Sequence, residues 1–270
     1  MDESAGPMNL FQPQFDAALD RPRTEVRKVV LVASTPRSGS HMLGHAMAAS
    51  GVLGVPYEYL NPANLDEWRR RLGVTGTDDL LRALFRRRTT PNGVFGLKAH
   101  YDHAQAFGGA AALIAALPGA VIVHIRRGDV LRQAISYAIA RQTGVWIAGQ
   151  DAVSDDIRFD AALINRCLND IVVQNARWDT AFREAGITPL PLFYEDVRDD
   201  IAGAVARVAR HAGVECQPQD IAVDAQTRRQ SKTSRTDAWV ERYAEALQGD
   251  ASPLNRLRDR LAKSLARRPA

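Results

Sequence analysis

Lys28-Val-Val-Leu-Val-Ala-Ser-Thr-Pro-Arg-Ser-Gly-Ser-His-Met-Leu-Gly-His-Ala-Met-Ala-Ala-Ser50 is the stretch that decides the fold. Its first six residues, Lys28 to Ala33, are almost wholly apolar and rich in valine. Such a run suits a strand buried on both faces, as in parallel sheets. Residues Ser34 to Ser40 then form a loop of small and polar residues, and His41 to Ser50 reads as a helix stopped by Gly51. A loop between a buried strand and a helix aims backbone N–H groups and the positive helix end at an anion. Gly39 lets the backbone approach closely, Ser38 and Ser40 add hydroxyls, and Arg37 adds a permanent charge.

The loop departs from the nucleotide-triphosphate formula G-x-x-x-x-G-K-[ST]. Ser34 stands at the first Gly, Ser40 at the Lys, and His41 at the metal-binding hydroxyl. One phosphate or phosphosulfate held without a metal fits better than ATP or GTP with Mg²⁺.

Working outward, further strands are predicted at Gly93–Lys98, at Ala120–Ile125 after a helix over 103–117, and at Ile187–Tyr194. Prolines place the last of these near an edge. Helices are predicted over Asp129–Gln142, Asp160–Ala185 and Ile201–Ala212, the last closed by Gly213. The alternation gives an α/β fold with a central parallel sheet flanked by helices. Residues 1–26 lack periodicity and read as a loosely ordered N-terminal arm before a single domain over 27–270.

Composition narrows the class. The 270 residues are 46% hydrophobic and 24% charged, which excludes wholesale disorder. Two cysteines, Cys167 and Cys216, make no disulfide scaffold. No apolar run approaches the ~20 residues of a spanning helix. Met1-Asp-Glu-Ser shows no secretory pattern, so the expectation is a cytoplasmic chain without stable membrane insertion. Lys and Arg number 35 against 31 Asp and Glu, and only Lys28, Lys98, Lys232 and Lys263 are lysine. Arginine suits bidentate phosphate or sulfate binding. A net charge of +4 is mild, and no DNA or RNA module is visible, so no nucleic-acid partner is expected.

A second basic strand end, His124-Ile-Arg-Arg-Gly-Asp129, runs into a helix carrying Ser136. Two such ends in one sheet suit a ligand with phosphates at its 5′ and 3′ positions. Several segments then resemble the bacterial trehalose 2-sulfotransferase family. They are Thr35–Ser40, Gly54-Val-Pro-Tyr-Glu-Tyr-Leu-Asn-Pro62, Asn92–Lys98, Arg127–Ser136, Arg141–Trp146 and Arg229-Gln-Ser with Trp239–Tyr243. They fall in the same order over roughly residues 28 to 245.

The resemblance implies a P-loop-like sulfotransferase fold using 3′-phosphoadenosine-5′-phosphosulfate (PAPS) as sulfuryl donor, with PAP as product and no metal. It places Arg37, Ser38, Gly39 and Ser40 on the 5′-phosphosulfate; His41, next to that loop in sequence, reads as a further donor to the sulfate. Arg127 and Ser136 fall on the 3′-phosphate, Tyr194 near the adenine, and Arg229 and Lys232 in a loop closing on the nucleotide. Glu58 matches the family's general base, a role that suits a carboxyl raised by partial burial, with His41 and His100 as rival bases, and Arg37 stabilises the leaving phosphate.

Tyr57, Tyr59, Lys98, His100, Tyr101 and Trp146 then border the acceptor, a small-molecule hydroxyl compound. His100-Tyr101 departs from the family's Lys-Leu-Met-Trp pattern, which leaves trehalose itself open. His41 and His45, four apart, are too few for a metal site. The amphipathic segment Ser252–Leu265 reads as a docked C-terminal helix or a contact in a homodimer, with a membrane surface as alternative. The rival functions are an ATP-dependent small-molecule kinase and a non-enzymatic PAP- or nucleic-acid-binding protein.

Overall fold

The computed structural model describes residues 11–147, 150–221 and 233–248. Four parallel strands, β1 (Lys28–Ser34), β2 (Val94–His100), β3 (Val121–Arg126) and β4 (Leu190–Phe193), pair in the order β2-β1-β3-β4. β1 is central, which explains why its run is apolar without alternation. Val29, Leu31 and Ala33 enter one core with Phe95, Leu97 and Trp178. Val30 and Val32 enter the other with Leu43, Met47, Ile125 and Val205. β4 lies at an edge, as its prolines foretold, but is only four residues long.

The helices among the described residues are α1 (Ser40–Ala49), α2 (Pro62–Leu72), α3 (Thr77–Arg88), α4 (Ala110–Ala115), α5 (Val130–Thr143), α6 (Ala161–Glu184), α7 (Tyr194–Asp199), α8 (Ile201–His211) and α9 (Thr233–Gln248). The helix expected over 103–117 is divided. A 3-10 turn at Asp102–Phe107 and the short α4 are separated by Gly108 and Gly109, both at positive φ. α2 and α3 were not foreseen. Asn61 caps α2 by accepting from the Ala63 N–H, Pro62 opens it, and Gly73 ends it.

The segment read as a loose arm is packed from Phe11 onward. Phe15 joins the first core against Trp68, and Gln14 is buried. Asp20 pairs with Arg87 and Arg88 of α3. Ser252–Leu265 falls outside the described residues.

In this order the chain reverses direction between β1 and β3, and crevices at such points lie at the carboxyl ends of the strands. The loops after β1 and β3 flank this one. In the β1–β2 register Ser34 stands opposite His100.

Candidate active site

The loop after β1 is shaped by two residues at positive φ, Arg37 (+63°) and Gly39 (+84°). A Cβ on Gly39 would lie 2.5 Å from the Tyr194 ring, so a side chain there has neither room nor an easy backbone. Buried Gln133 of α5 braces the loop, its side-chain NH₂ donating to the Thr35 hydroxyl at 2.9 Å and the Pro36 carbonyl at 2.7 Å. The Trp178 indole N–H donates to the Ser34 carbonyl at 3.1 Å. Within this frame the Ser38 hydroxyl is buried and meets no hydrogen-bond partner. A buried unsatisfied hydroxyl costs about 1–3 kcal/mol, so it fits a ligand oxygen rather than the protein alone.

Positive charge converges on the same place. Arg37 is pushed down to about 10, first by burial and then by the positive charge of Arg127. Its Nε donates to the Ser136 hydroxyl at 3.1 Å, and Nη1 donates to the Trp146 carbonyl. The structure thus brings Ser136 to Arg37. The Arg127 guanidinium lies 4.6 Å from the centre of the Tyr194 ring. Its neighbour Arg126 turns away to Asp179 and His124. Glu195 accepts from the backbone N–H groups of Gly128 (3.0 Å) and Asp129 (3.4 Å), so those amides already hold a carboxylate. Burial favours the neutral form of Glu195, but these amide bonds win and hold its carboxyl low.

The second cluster sits at the end of β2. Gly54 and Gly96 allow the two backbones to touch: a Cβ on Gly54 would lie 2.0 Å from the Gly96 nitrogen. The close approach lets Tyr57 bridge to Leu97, with the Lys98 N–H donating to the Tyr57 carbonyl at 3.1 Å. Glu58 therefore lands beside the buried Lys98 side chain, Nζ to Oε1 2.8 Å. His100 Nε2 is 3.4 Å from the same oxygen, and Asn61 donates to the other at 3.3 Å.

Partial burial alone would raise the Glu58 carboxyl, as expected from the sequence. The charges of Lys98 and then His100 outweigh it and hold the group well below the carboxylate range. The expectation of a raised Glu58 is corrected accordingly. His100 is itself held low, first by burial, and its Nδ1 lies 2.9 Å from the Ser34 hydroxyl.

The remaining residues divide. Tyr59 is wholly buried, its hydroxyl donating to the Val55 carbonyl at 2.5 Å and its ring between Trp68 and Phe95. It is a core residue with no face for an acceptor, which corrects that assignment. Tyr57 is also buried, its ring against His45. His41 is held neutral, first by burial and then by Lys98, and its Nε2 is buried without a hydrogen-bond partner. Tyr101 lies edge-on to Trp178, and the Trp146 ring lies beside Tyr137. Arg229 and Lys232 fall outside the described residues.

Gln133, Ser34 and Asn61 were missed by the sequence reading. Only Gln133, one helical turn before Ser136, carried a signal.

No helix among the described residues is long and apolar enough to cross a membrane. Two curated proteins, each named trehalose 2-sulfotransferase, are similar to the chain. The protein from Mycolicibacterium smegmatis is 29% identical over 263 residues, 83% of this chain and 97% of that one. The protein from Mycobacterium tuberculosis is 29% identical over 256 residues, 80% and 94%. Among solved structures, the sulfotransferase domain of the Synechococcus PCC 7002 olefin synthase aligns over 93% of this chain and 98% of that domain. Its identity is 15% and its TM-score 0.45. The profile of the Stf0 sulphotransferase family matches residues 29–246, and the chain belongs to that family.

Proposed function

We propose that this sulfotransferase moves a sulfuryl group from PAPS to a hydroxyl of a sugar, glycolipid or other small molecule, leaving PAP. The observation that carries the proposal is the buried, unpartnered Ser38 hydroxyl in a loop toward which Arg37 and Arg127 bring positive charge. The donor supplies an activated sulfuryl group; the protein positions it and handles charge and one proton. Ser38, Ser40 and the amides at the start of α1 hold the 5′ end, and Arg37 steadies the charge left on the phosphate oxygen. Arg127 and Ser136 hold the 3′-phosphate, Ser136 being the residue that accepts from Arg37 Nε in the structure, and Tyr194, under the Arg127 guanidinium, borders the adenine. As the acceptor oxygen bonds to sulfur, its proton passes to Glu58 and the bridging S–O bond breaks with its electron pair on phosphate. His41, neutral with a buried Nε2, adds a hydrogen bond on the sulfate side.

A second base is favoured by one observation. His100 Nδ1 lies 2.9 Å from the Ser34 hydroxyl and its Nε2 3.4 Å from Glu58, which supports His100 as the group that takes the proton in its stead.

Both similar proteins named above are trehalose enzymes, which makes that disaccharide the first acceptor to try. A cytoplasmic location, expected from the sequence, and pairing as a homodimer, expected from the family resemblance, belong to the same proposal. The test is transfer from labelled PAPS to a panel of hydroxyl compounds, led by trehalose, in EDTA. Labelled product is expected. Phosphorylation from ATP and Mg²⁺ with no sulfate transfer would establish the kinase alternative.

A further inference from the structure

Phe11 lies well before the 29–246 stretch that the family profile spans. Its ring nevertheless closes an aromatic cluster beside the reactive centre. Ring centroids lie 5.0 Å from His41, 5.5 Å from His45 and 5.5 Å from Tyr57. His41 and His45 are 4.4 Å apart, and His45 and Tyr57 5.3 Å.

Two members of this cluster adjoin the chemistry by chain position. His41 follows Ser40 of the anion loop, and Tyr57 precedes Glu58. After burial, the charges felt by His41 include those of Lys98, Glu58 and Arg37, residues of both clusters of the site. Its Nε2 is buried and has no protein hydrogen-bond partner.

The position of Phe11 is built. Four residues on, Phe15 packs at 4.9 Å from Trp68 and under the Arg71 guanidinium. The Trp68 indole N–H reaches the Gln14 side-chain oxygen at 3.5 Å, and Arg88 donates to the Asp16 carbonyl at 3.1 Å. These contacts moor the segment to α2 and α3 and leave Phe11 over α1.

We propose that Phe11 is a positioning residue: it walls the α1 side of the site, keeps water from the Glu58–Lys98 pair, and sets the shape offered to the acceptor. The inference rests on the sulfotransfer proposal above. Water admitted in place of the acceptor would bond through oxygen to sulfur as the bridging S–O bond breaks, giving sulfate, PAP and a proton released to solvent. Excluding water suppresses that side reaction.

The test compares wild type, Phe11→Ala and the conservative Phe11→Tyr. The readouts are sulfate release from labelled PAPS without acceptor, KM and kcat for trehalose as probe acceptor, PAP affinity and melting temperature. Phe11→Ala should raise acceptor-free sulfate release about tenfold and raise KM more than it lowers kcat. PAP affinity should hold, and Phe11→Tyr should restore both kinetic readouts. A lower melting temperature with unchanged sulfate release and KM would overturn the inference and leave Phe11 a packing residue. Should wild type neither bind PAP nor release sulfate, the sulfotransfer proposal fails and this one with it. Should wild type bind PAP while Phe11→Ala matches it throughout, only this inference fails.

Discussion

Ser34 and His100 stand opposite one another in the sheet, yet the two clusters they begin are built on opposite plans. The loop after β1 leaves bonding capacity unspent in the buried Ser38 hydroxyl, and burial, then the charge of Arg127, holds Arg37 low beside it. The cluster after β2 is saturated, with Glu58 held by Lys98, His100 and Asn61. A ligand completes the first region, whereas at the second it must compete with contacts already made. The donor side should therefore report on affinity, and the acceptor side on rate and stability.

The largest expected effect breaks the saturated side. Glu58→Gln keeps the shape but accepts no proton, and losing a general base costs ~10²–10⁴ in rate. It also leaves the Lys98 ammonium without its carboxylate, a loss of roughly 1.5–3 kcal/mol, so the melting temperature should fall while PAP affinity holds. Single-turnover rates from one preparation decide the matter. Near-normal turnover would give the base role to His100.

Lys98→Met sharpens the same contrast through pH. In the wild type the folded Glu58 carboxyl lies well below its unfolded value of about 4.3. Stability from its ionisation is therefore complete above that unfolded value and lost only as pH falls through the depressed folded value. The wild-type rate should show no acid limb from Glu58 between about pH 5 and 8. Without Lys98 burial is left less opposed, the carboxyl rises, and a limb should move up into the range covered by a kcat/KM profile. A wild-type limb near neutrality would show that the Lys98 pairing does not govern the base.

A smaller effect lies on the donor side. Arg127→Ala should weaken PAP by roughly 10- to 100-fold, the worth of one charge-assisted hydrogen bond. Adenosine 5′-phosphosulfate, which lacks the 3′-phosphate, should lose far less in parallel competition titrations. Equal losses would move Arg127 to the 5′ end.

Legibility in the sequence followed the range of the interactions. β1 and the Ser38–Gly39 loop were legible because an unbroken apolar run and a small-residue turn are local signals. The Glu58–Lys98 pair was not. It joins residues 40 apart through a backbone contact between Gly54 and Gly96, which no spacing rule reports. Tyr57 and Tyr59 flank Glu58 symmetrically in sequence, but Tyr59 points between Trp68 and Phe95. That choice of direction is made by α2 and β2, and the loop has no period to betray it. Phe11 was hidden for the same reason, since its segment is moored entirely by residues beyond position 40.

Ser38→Ala separates a ligand cradle from a mere turn in one pair of measurements: calorimetric titration with PAP in EDTA, and the melting temperature without ligand. Wild type should bind PAP with no metal present, and the variant should bind it about tenfold more weakly, the loss of one hydrogen bond to a charged group. Its ligand-free melting temperature should hold or rise, because the hydroxyl removed has no partner to lose. Unchanged PAP affinity together with a lower melting temperature would contradict an anion cradle after β1, and so would binding seen only with ATP and Mg²⁺.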